Sequence, residues 1–452
     1  MQLKYVRSPL ACLACWGMTV LLAGINPLPA LSQDADATTK SASLTMKIMA
    51  MERGLEQEFE DYFGQDLAEV TQTPDDIAQT LSRLGEQTQT KPAVLWVIPR
   101  VDHLHLVLIT PGGKPIVRDL YEVPPAVLME TVQSFQQGIK RAMGRNRLVA
   151  AQQLHEWIIE PFESEYLQAE GIDTLLFCLG NGVRGLSVAA LYDGQQFLLE
   201  KYSLTRIPAF NLIQTDYASV QQGQILAMGA SEFQDQNPLP AVPMEVSRIM
   251  WELRSARRAG ETWEGRSLLN QRFTLQNLSD LLSMQPFDIV HLATHAEFKP
   301  GVPNNSYIQL WDTKLGLDQT RDLAWNLPPI ELLVLSACRT AMGDEEAEMG
   351  FAGIALQAGV KSALASLWYV DDMGTLALMS EFYRQLTIAP TKAEALRQAQ
   401  LRMLRGEVRF EGDRLLLSRG EIPLPVELTE AIGDDLSHPF YWAGFTLISS
   451  PW

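Results

Sequence analysis

Residues 287–295, Phe-Asp-Ile-Val-His-Leu-Ala-Thr-His, and residues 332–338, Leu-Leu-Val-Leu-Ser-Ala-Cys, decide how this chain folds. Each opens as an apolar run and ends in small residues and a chemically active side chain. A strand that is apolar on both faces needs cover on both, which points to a parallel sheet in an α/β protein. The neighbouring sequence agrees. Residues 225–229 and 362–367 are further apolar strands, while 243–258, 350–358, 371–387 and 391–405 have helical periodicity. In such sheets working groups gather at the carboxyl ends of strands, and His295 and Cys338 both stand there. If the two strands are neighbours, an imidazole meets a thiol across one crevice. It can then take the thiol proton and leave a thiolate nucleophile for acyl transfer. Spacing alone does not separate that pair from a buried core cysteine beside a structural histidine.

Toward the N-terminus the pattern changes. Residues 124–142 and 147–159 read as helices. Strands are expected at 173–178, 186–191 and 197–203, the last two joined by an Asp193-Gly194 hairpin turn. Before them, 93–98, 104–110 and 116–121 form an antiparallel meander that turns at Pro111-Gly112-Gly113. Residues 38–90 are rich in Glu, Gln, Asp and Thr, and predict two exposed helices over 45–70 and 74–86, with Thr73 capping before Pro74. No 34-residue period marks a helical-repeat array.

The first forty residues have the layout of a secretory signal: Lys4 and Arg7, an apolar run over 10–25, then Pro27, Pro29, Ala30 and a polar stretch. The run is short of the ~20 residues a spanning helix needs. Cleavage after Ala30 or Ala37 is expected, giving a periplasmic or extracellular protein with no stable membrane insertion; the alternative is that the segment stays as an uncleaved N-terminal anchor. Cys12 and Cys15 precede most of the apolar run, so neither has the place of a lipoprotein cysteine, and only Cys178 and Cys338 follow it. The expected organisation is a leader over 1–37, a helical segment over 38–90, a first α/β half over 91–210 and a catalytic half over 211–452.

Composition narrows the classes of function. The 452 residues are 46% hydrophobic and 20% charged, enough for a packed core. Net charge is −18, and residues 1–37 carry two basic and two acidic groups, so removing them leaves it unchanged. Such an acidic chain argues against nucleic-acid binding and against docking on anionic lipid. Four cysteines are too few for a disulfide scaffold.

Five motifs then agree in order: residues 291–298 (HLATHAEF), 335–340 (LSACRT), 350–359 (GFAGIALQAG), 365–372 (ASLWYVDD) and 437–445 (SHPFYWAGF). Together they resemble the CHAT domain family of caspase-like cysteine peptidases, and the resemblance runs from about residue 90 to the C-terminus. It implies a caspase-like, mostly parallel sheet flanked by helices on both faces, here preceded by the meander and the helical segment. It also implies a Cys-His dyad acting on a protein or peptide substrate, with Cys338 as nucleophile, His295 as base and no cofactor. The backbone N–H groups of Ala296 and Cys338 would form the oxyanion hole. Two residues depart from the family pattern. Ala296 stands where many members have Gly, and Arg339 where Glu is common. A guanidinium beside the thiol favours the thiolate. The helical repeats often fused to this domain are missing.

Other residues have a plain role beside a sharper one. His291 and His295 are four apart, but their setting is a strand and no Glu follows the first, so His291 is expected to pack and no metal is expected. Asp371 and Asp372 suit a helix N-cap, or a pocket for a basic P1 side chain. Asp344, Glu345, Glu346 and Glu348 suit a solvated loop, or the rim of a site for a cationic substrate. Cys178, Trp368 and Trp442 are expected in the core. The 180–185 stretch (GNGVRG) resembles a phosphate loop but is expected to lead into a strand, so no helix N-terminus would receive an anion. Two rivals to a peptidase remain: a catalytically silent scaffold with the same fold, and a thiol redox sensor acting through Cys338.

Overall fold

The computed structural model describes residues 31–67, 70–140, 147–218, 223–256, 263–323, 325, 328–340, 342–429 and 435–452. The expected leader lies largely outside them. The chain divides into two units, Met1–Met46 and Lys47–Trp452. In the first, the described residues are helical. No described helix is long and apolar enough to cross a membrane.

The second unit is built on one sheet of thirteen described strands. In chain order these are β1 (Pro92–Pro99), β2 (Leu104–Ile109), β3 (Ile116–Leu120), β4 (Thr174–Leu179), β5 (Ser203–Ile207), β6 (Gly223–Gly229) and β7 (Trp263–Leu269). There follow β8 (Ile289–Phe298), β9 (Tyr307–Gln309), β10 (Lys314–Gly316), β11 (Leu332–Thr340), β12 (Ser362–Ser366) and β13 (Phe445–Ser449). Their spatial order is β10-β9-β8-β11-β12-β13-β5-β4-β1-β2-β3, with β6 beside β8 and β7 beside β6. Pairing is parallel through β7-β6-β8-β11-β12 and through β13-β5-β4-β1. It is antiparallel in the β1-β2-β3 meander, at β8-β9-β10 and at β12-β13.

The flanking helices of eight residues or more are α1 (Leu31–Phe63), α2 (Pro74–Thr88), α3 (Pro125–Lys140), α4 (Arg147–Ile158), α5 (Val242–Ser255), α6 (Leu275–Met284), α7 (Glu345–Ala352), α8 (Asp372–Leu386) and α9 (Lys392–Leu404). A small sheet of 409–411, 414–416 and 421–423 lies apart. The mixed α/β architecture with a mostly parallel central sheet is the one the sequence implies. β4, β12 and all but the last residue of β1 are buried, which is why their sequences carry no polar alternation. Thr73 caps α2 as expected. Its hydroxyl accepts the Asp76 N–H while Asp76 accepts the Thr73 N–H, a capping box.

Four expectations are corrected. The helix expected over 45–70 runs from Leu31 and stops at Phe63, where Gly64 takes φ +65°. Nor is it merely exposed, since Ile48, Met51, Leu55, Phe59 and Phe63 form a buried stripe at helical spacing. The strands at 186–191 and 197–203 do not form. β5 pairs in parallel with β4, so the chain between them must cross over. It does so as a turn, one 3-10 helix and one short α-turn, with residues 183–191 buried throughout. The hairpin signal survives as a lone Tyr192–Phe197 bridge around Gly194. The 180–185 turns therefore lead into 3-10 structure, not a strand. Finally, the helix over 350–358 breaks at Gly353, where a Cβ would sit 2.5 Å from the Phe63 ring.

Candidate active site

β8 and β11 are neighbours, and their register sets the site. Leu335 pairs with Leu292, a bulge follows, and Ala337 then pairs with His295, Cys338 with Ala296 and Arg339 with Glu297. Two residues of β8, Ala293 and Thr294, thus oppose Ser336 alone. Such bulges re-aim the next side chain. On its other side β8 changes partner at the same place. β6 pairs with it up to Ala293, and β9 takes over at Ala296. His295 falls in the gap between the two.

Gly229 ends β6 because nothing larger fits there: a Cβ would lie 2.7 Å from the Ala293 carbonyl and 2.7 Å from Val242. The loop that follows covers His295. The Asn237 carbonyl oxygen lies 2.8 Å from His295 Nε2, and the Phe233 ring packs on the imidazole with centroids 4.7 Å apart. Tyr369, just after β12, stacks at 6.4 Å. A carbonyl can only accept, so Nε2 donates its N–H. The neutral ring then keeps its lone pair on Nδ1.

Beside it opens a cleft of about 580 Å³, lined by Asp235, Gln236, Asn237, His295, Ala296, Glu297, Arg339, Thr340, Trp368, Tyr369 and Phe440. Trp368 is fixed as a wall by its Nε1–H, which donates to the Phe440 carbonyl at 2.9 Å. Burial pushes the Glu297 carboxyl up, but Lys299 at 2.7 Å, the Tyr307 hydroxyl and the Arg339 charge outweigh it and hold the carboxyl below its ordinary value.

None of the six acidic residues expected near a substrate site lines this cleft. Asp344 caps α7, accepting the Ala347 N–H at 3.0 Å. Glu345, Glu346 and Glu348 lie in that helix's first turn, so the acidic loop is a helix start. Glu348 is buried and accepts the N–H groups of Gly185 and Gly343, both at 2.8 Å. Burial raises its pKa against these bonds and against Arg206 and Arg184. The glycine-rich 180–185 stretch therefore does receive an anion, namely the chain's own carboxylate. Asp371 caps α8, accepting from Met373 and Gly374. Asp372 follows it and accepts the Ala241 N–H at 2.5 Å. Burial first, then Glu245 and Asp371, push its carboxyl up to about 7 despite that bond.

His291 packs as expected. It is fully buried, with Nε2 2.9 Å from Glu245 and Nδ1 3.0 Å from the Tyr383 hydroxyl. Cys178 is buried too. Its thiol donates to the Pro208 carbonyl, and burial pushes its pKa well up, so it makes a poor resolving partner for a redox cysteine. Trp368 and Trp442 are buried as well. Sequence patterns missed Asn237, Phe233, Tyr369 and Asp235. A backbone carbonyl leaves no side-chain signature, and the other three lie on loops whose return over β8 depends on the fold.

With this geometry in hand, comparison with known proteins defines the class. The CHAT domain model matches residues 148–450, and the chain belongs to the CHAT domain family. No curated protein sequence matches it. Among solved structures it is similar to Saccharomyces cerevisiae separase in complex with securin, at 11% identity and TM-score 0.46, covering 85% of this chain and 32% of that one. It is also similar to the Arg-specific cysteine proteinase gingipain R, at 11% identity and TM-score 0.40, covering 72% and 74%. A third similarity is to the complex of Porphyromonas gingivalis RgpB pro- and mature domains, at 10% identity and TM-score 0.38, covering 79% and 78%. The chain spans about a third of the length of the separase chain it matches.

Proposed function

We propose that this protein is an exported cysteine endopeptidase with Cys338 as nucleophile and His295 as base. The observation that carries the proposal is the β8–β11 register. It makes the strands that end in His295 and Cys338 parallel neighbours, with Cys338 pairing one residue beyond His295, next to a cleft lined by His295, whose Nε2–H donates to the Asn237 carbonyl. His295 Nδ1 takes the thiol proton, the sulfur bonds to the scissile carbonyl carbon, and the carbonyl electron pair moves to oxygen. The N–H groups of Ala296 and Cys338 receive that oxyanion. The tetrahedral adduct collapses as the C–N bond breaks, and His295 gives its proton to the leaving amine. Water, deprotonated by His295, then attacks the acyl-enzyme. The C–S bond breaks and the thiol regains its proton. Arg339 favours the thiolate, tempered by Glu297 opposite it on the ladder. A basic P1 residue is part of the proposal, resting on Asp235 and Glu297 at the cleft rather than on the six residues first expected. Export rests on the sequence of residues 1–37.

The test is labelling by acyl-type peptide electrophiles bearing Arg, Lys, Asp or Leu at P1, applied to the parent protein, Cys338→Ala and His295→Ala. Labelling at Cys338 that falls away in His295→Ala, strongest with Arg or Lys, is expected. Absence of labelling with every probe would move the protein to the silent scaffold class, where Cys338→Ala should keep its partners.

A further inference from the structure

The other end of the sheet carries a second cluster with its own chemistry. The turn from β1 to β2 is closed by the Arg100 N–H donating to the His103 carbonyl at 2.8 Å. β2 then pairs with β3 so that His105 stands opposite Asp119. Strand alternation turns Leu104, Leu106 and Leu108 into the core and sets His103, His105 and Asp119 together on the other face. These three offer ligand atoms that all lie within 4.8 Å of one another. His103 Nε2 is 3.3 Å from Asp119 Oδ1, and His105 Nδ1 is 2.5 Å from the same oxygen.

A fourth residue sets the tautomer. Asp102 Oδ1 lies 2.7 Å from His103 Nδ1, so the Nδ1–H donates outward and the Nε2 lone pair faces Asp119 and His105. A carboxylate behind an imidazole is the usual outer shell of a histidine metal ligand. Donors bound at about 2.0–2.1 Å in a tetrahedron stand roughly 3.3 Å apart, the spacing already present between His103 and Asp119. The His105–Asp119 contact needs to open by about 1 Å to match it. Two imidazoles and one carboxylate suit zinc and its first-row neighbours, whereas magnesium and calcium take oxygen sets.

We propose that His103, His105 and Asp119 bind one divalent ion of the zinc class, with Asp102 as a positioning residue and the fourth coordination place open to water. The ion would clip β3, the outermost described strand at this end of the sheet, to the β1–β2 hairpin.

The test titrates Zn²⁺ into the full chain carrying Cys12→Ser, Cys15→Ser and Cys338→Ser, which leaves only the buried Cys178 thiol, with calorimetry as the readout. One saturable equivalent is expected, together with a rise in the thermal midpoint. His105→Ala and Asp119→Asn should abolish both effects, and Asp102→Asn should weaken binding by about tenfold or more. Mg²⁺ should give neither effect. The altered side chains are partly exposed, and far-UV circular dichroism checks that each variant is folded. Zinc binding that survives in His105→Ala, or no saturable binding by the folded parent, overturns the proposal.

Discussion

Asp372 shows how one side chain can favour a helix start and still cost stability. At the first position of α8 its charge suits the helix dipole, but burial favours the protonated form and lifts its pKa from 3.8 to about 7. The folded protein therefore holds a proton that the unfolded chain has released. The stability this group contributes is fully present below about pH 4 and is lost as pH rises through about 7. Asp372→Asn keeps an acceptor for the Ala241 N–H and has no charge to bury. Thermal midpoints of the two proteins should diverge in the variant's favour as pH rises over this window; a constant difference would count against the assignment. The Phe233 ring is the matching test at the cleft. Phe233→Ala keeps both residues of the proposed dyad but frees the imidazole, and kcat for peptide cleavage should drop by about tenfold to a hundredfold with KM little changed.

Among the elements, β6 and β8 depend on a single missing methyl. Gly229→Ala would drive a Cβ against the Ala293 carbonyl and Val242, two residues before His295. Overpacking of this kind costs about 1–3 kcal/mol. The urea midpoint should fall accordingly, and labelling of Cys338 should fall further than stability alone explains. The same elements show what the chain discloses in advance. β4, β8, β11 and β12 were legible because strands covered on both faces are written as unbroken apolar runs. α1 was half legible, because its Ile48–Phe63 stripe is hidden among Glu and Gln. The 186–203 segment misled because a buried crossover and a buried strand share one composition, and only the parallel β4–β5 pairing separates them. At the site, the motifs singled out His295 and Cys338, and the fold puts them on neighbouring strands. The acidic residues near them in sequence went instead to helix caps and to a buried tie, since nearness along the chain says little about which side of a strand a loop takes.

For the molecule as a whole, a net charge of −18 attracts cationic peptides through a field that salt screens. If the substrate is basic at P1, kcat/KM for an Arg peptide should fall as ionic strength rises, while a neutral peptide of equal length should change little. Equal salt dependence of both would remove charge from the account of specificity. The sheet also carries a constraint in time. β13 lies between β12 and β5, joining the strands that bear His295 and Cys338 to those of the meander, and the Gly444 carbonyl accepts the Leu367 N–H at the cleft wall. Yet residues 445–449 leave the ribosome after every other strand of the sheet. A nascent chain without them presents two raw edges, β12 and β5, and one that stops short of residue 440 also has no Phe440 carbonyl to fasten the Trp368 wall of the cleft. Under the proposed function, chemistry at Cys338 would be withheld until β13 is made. A truncated product stopped short of β13 would leave two half-sheets with open, aggregation-prone edges in place of one continuous sheet.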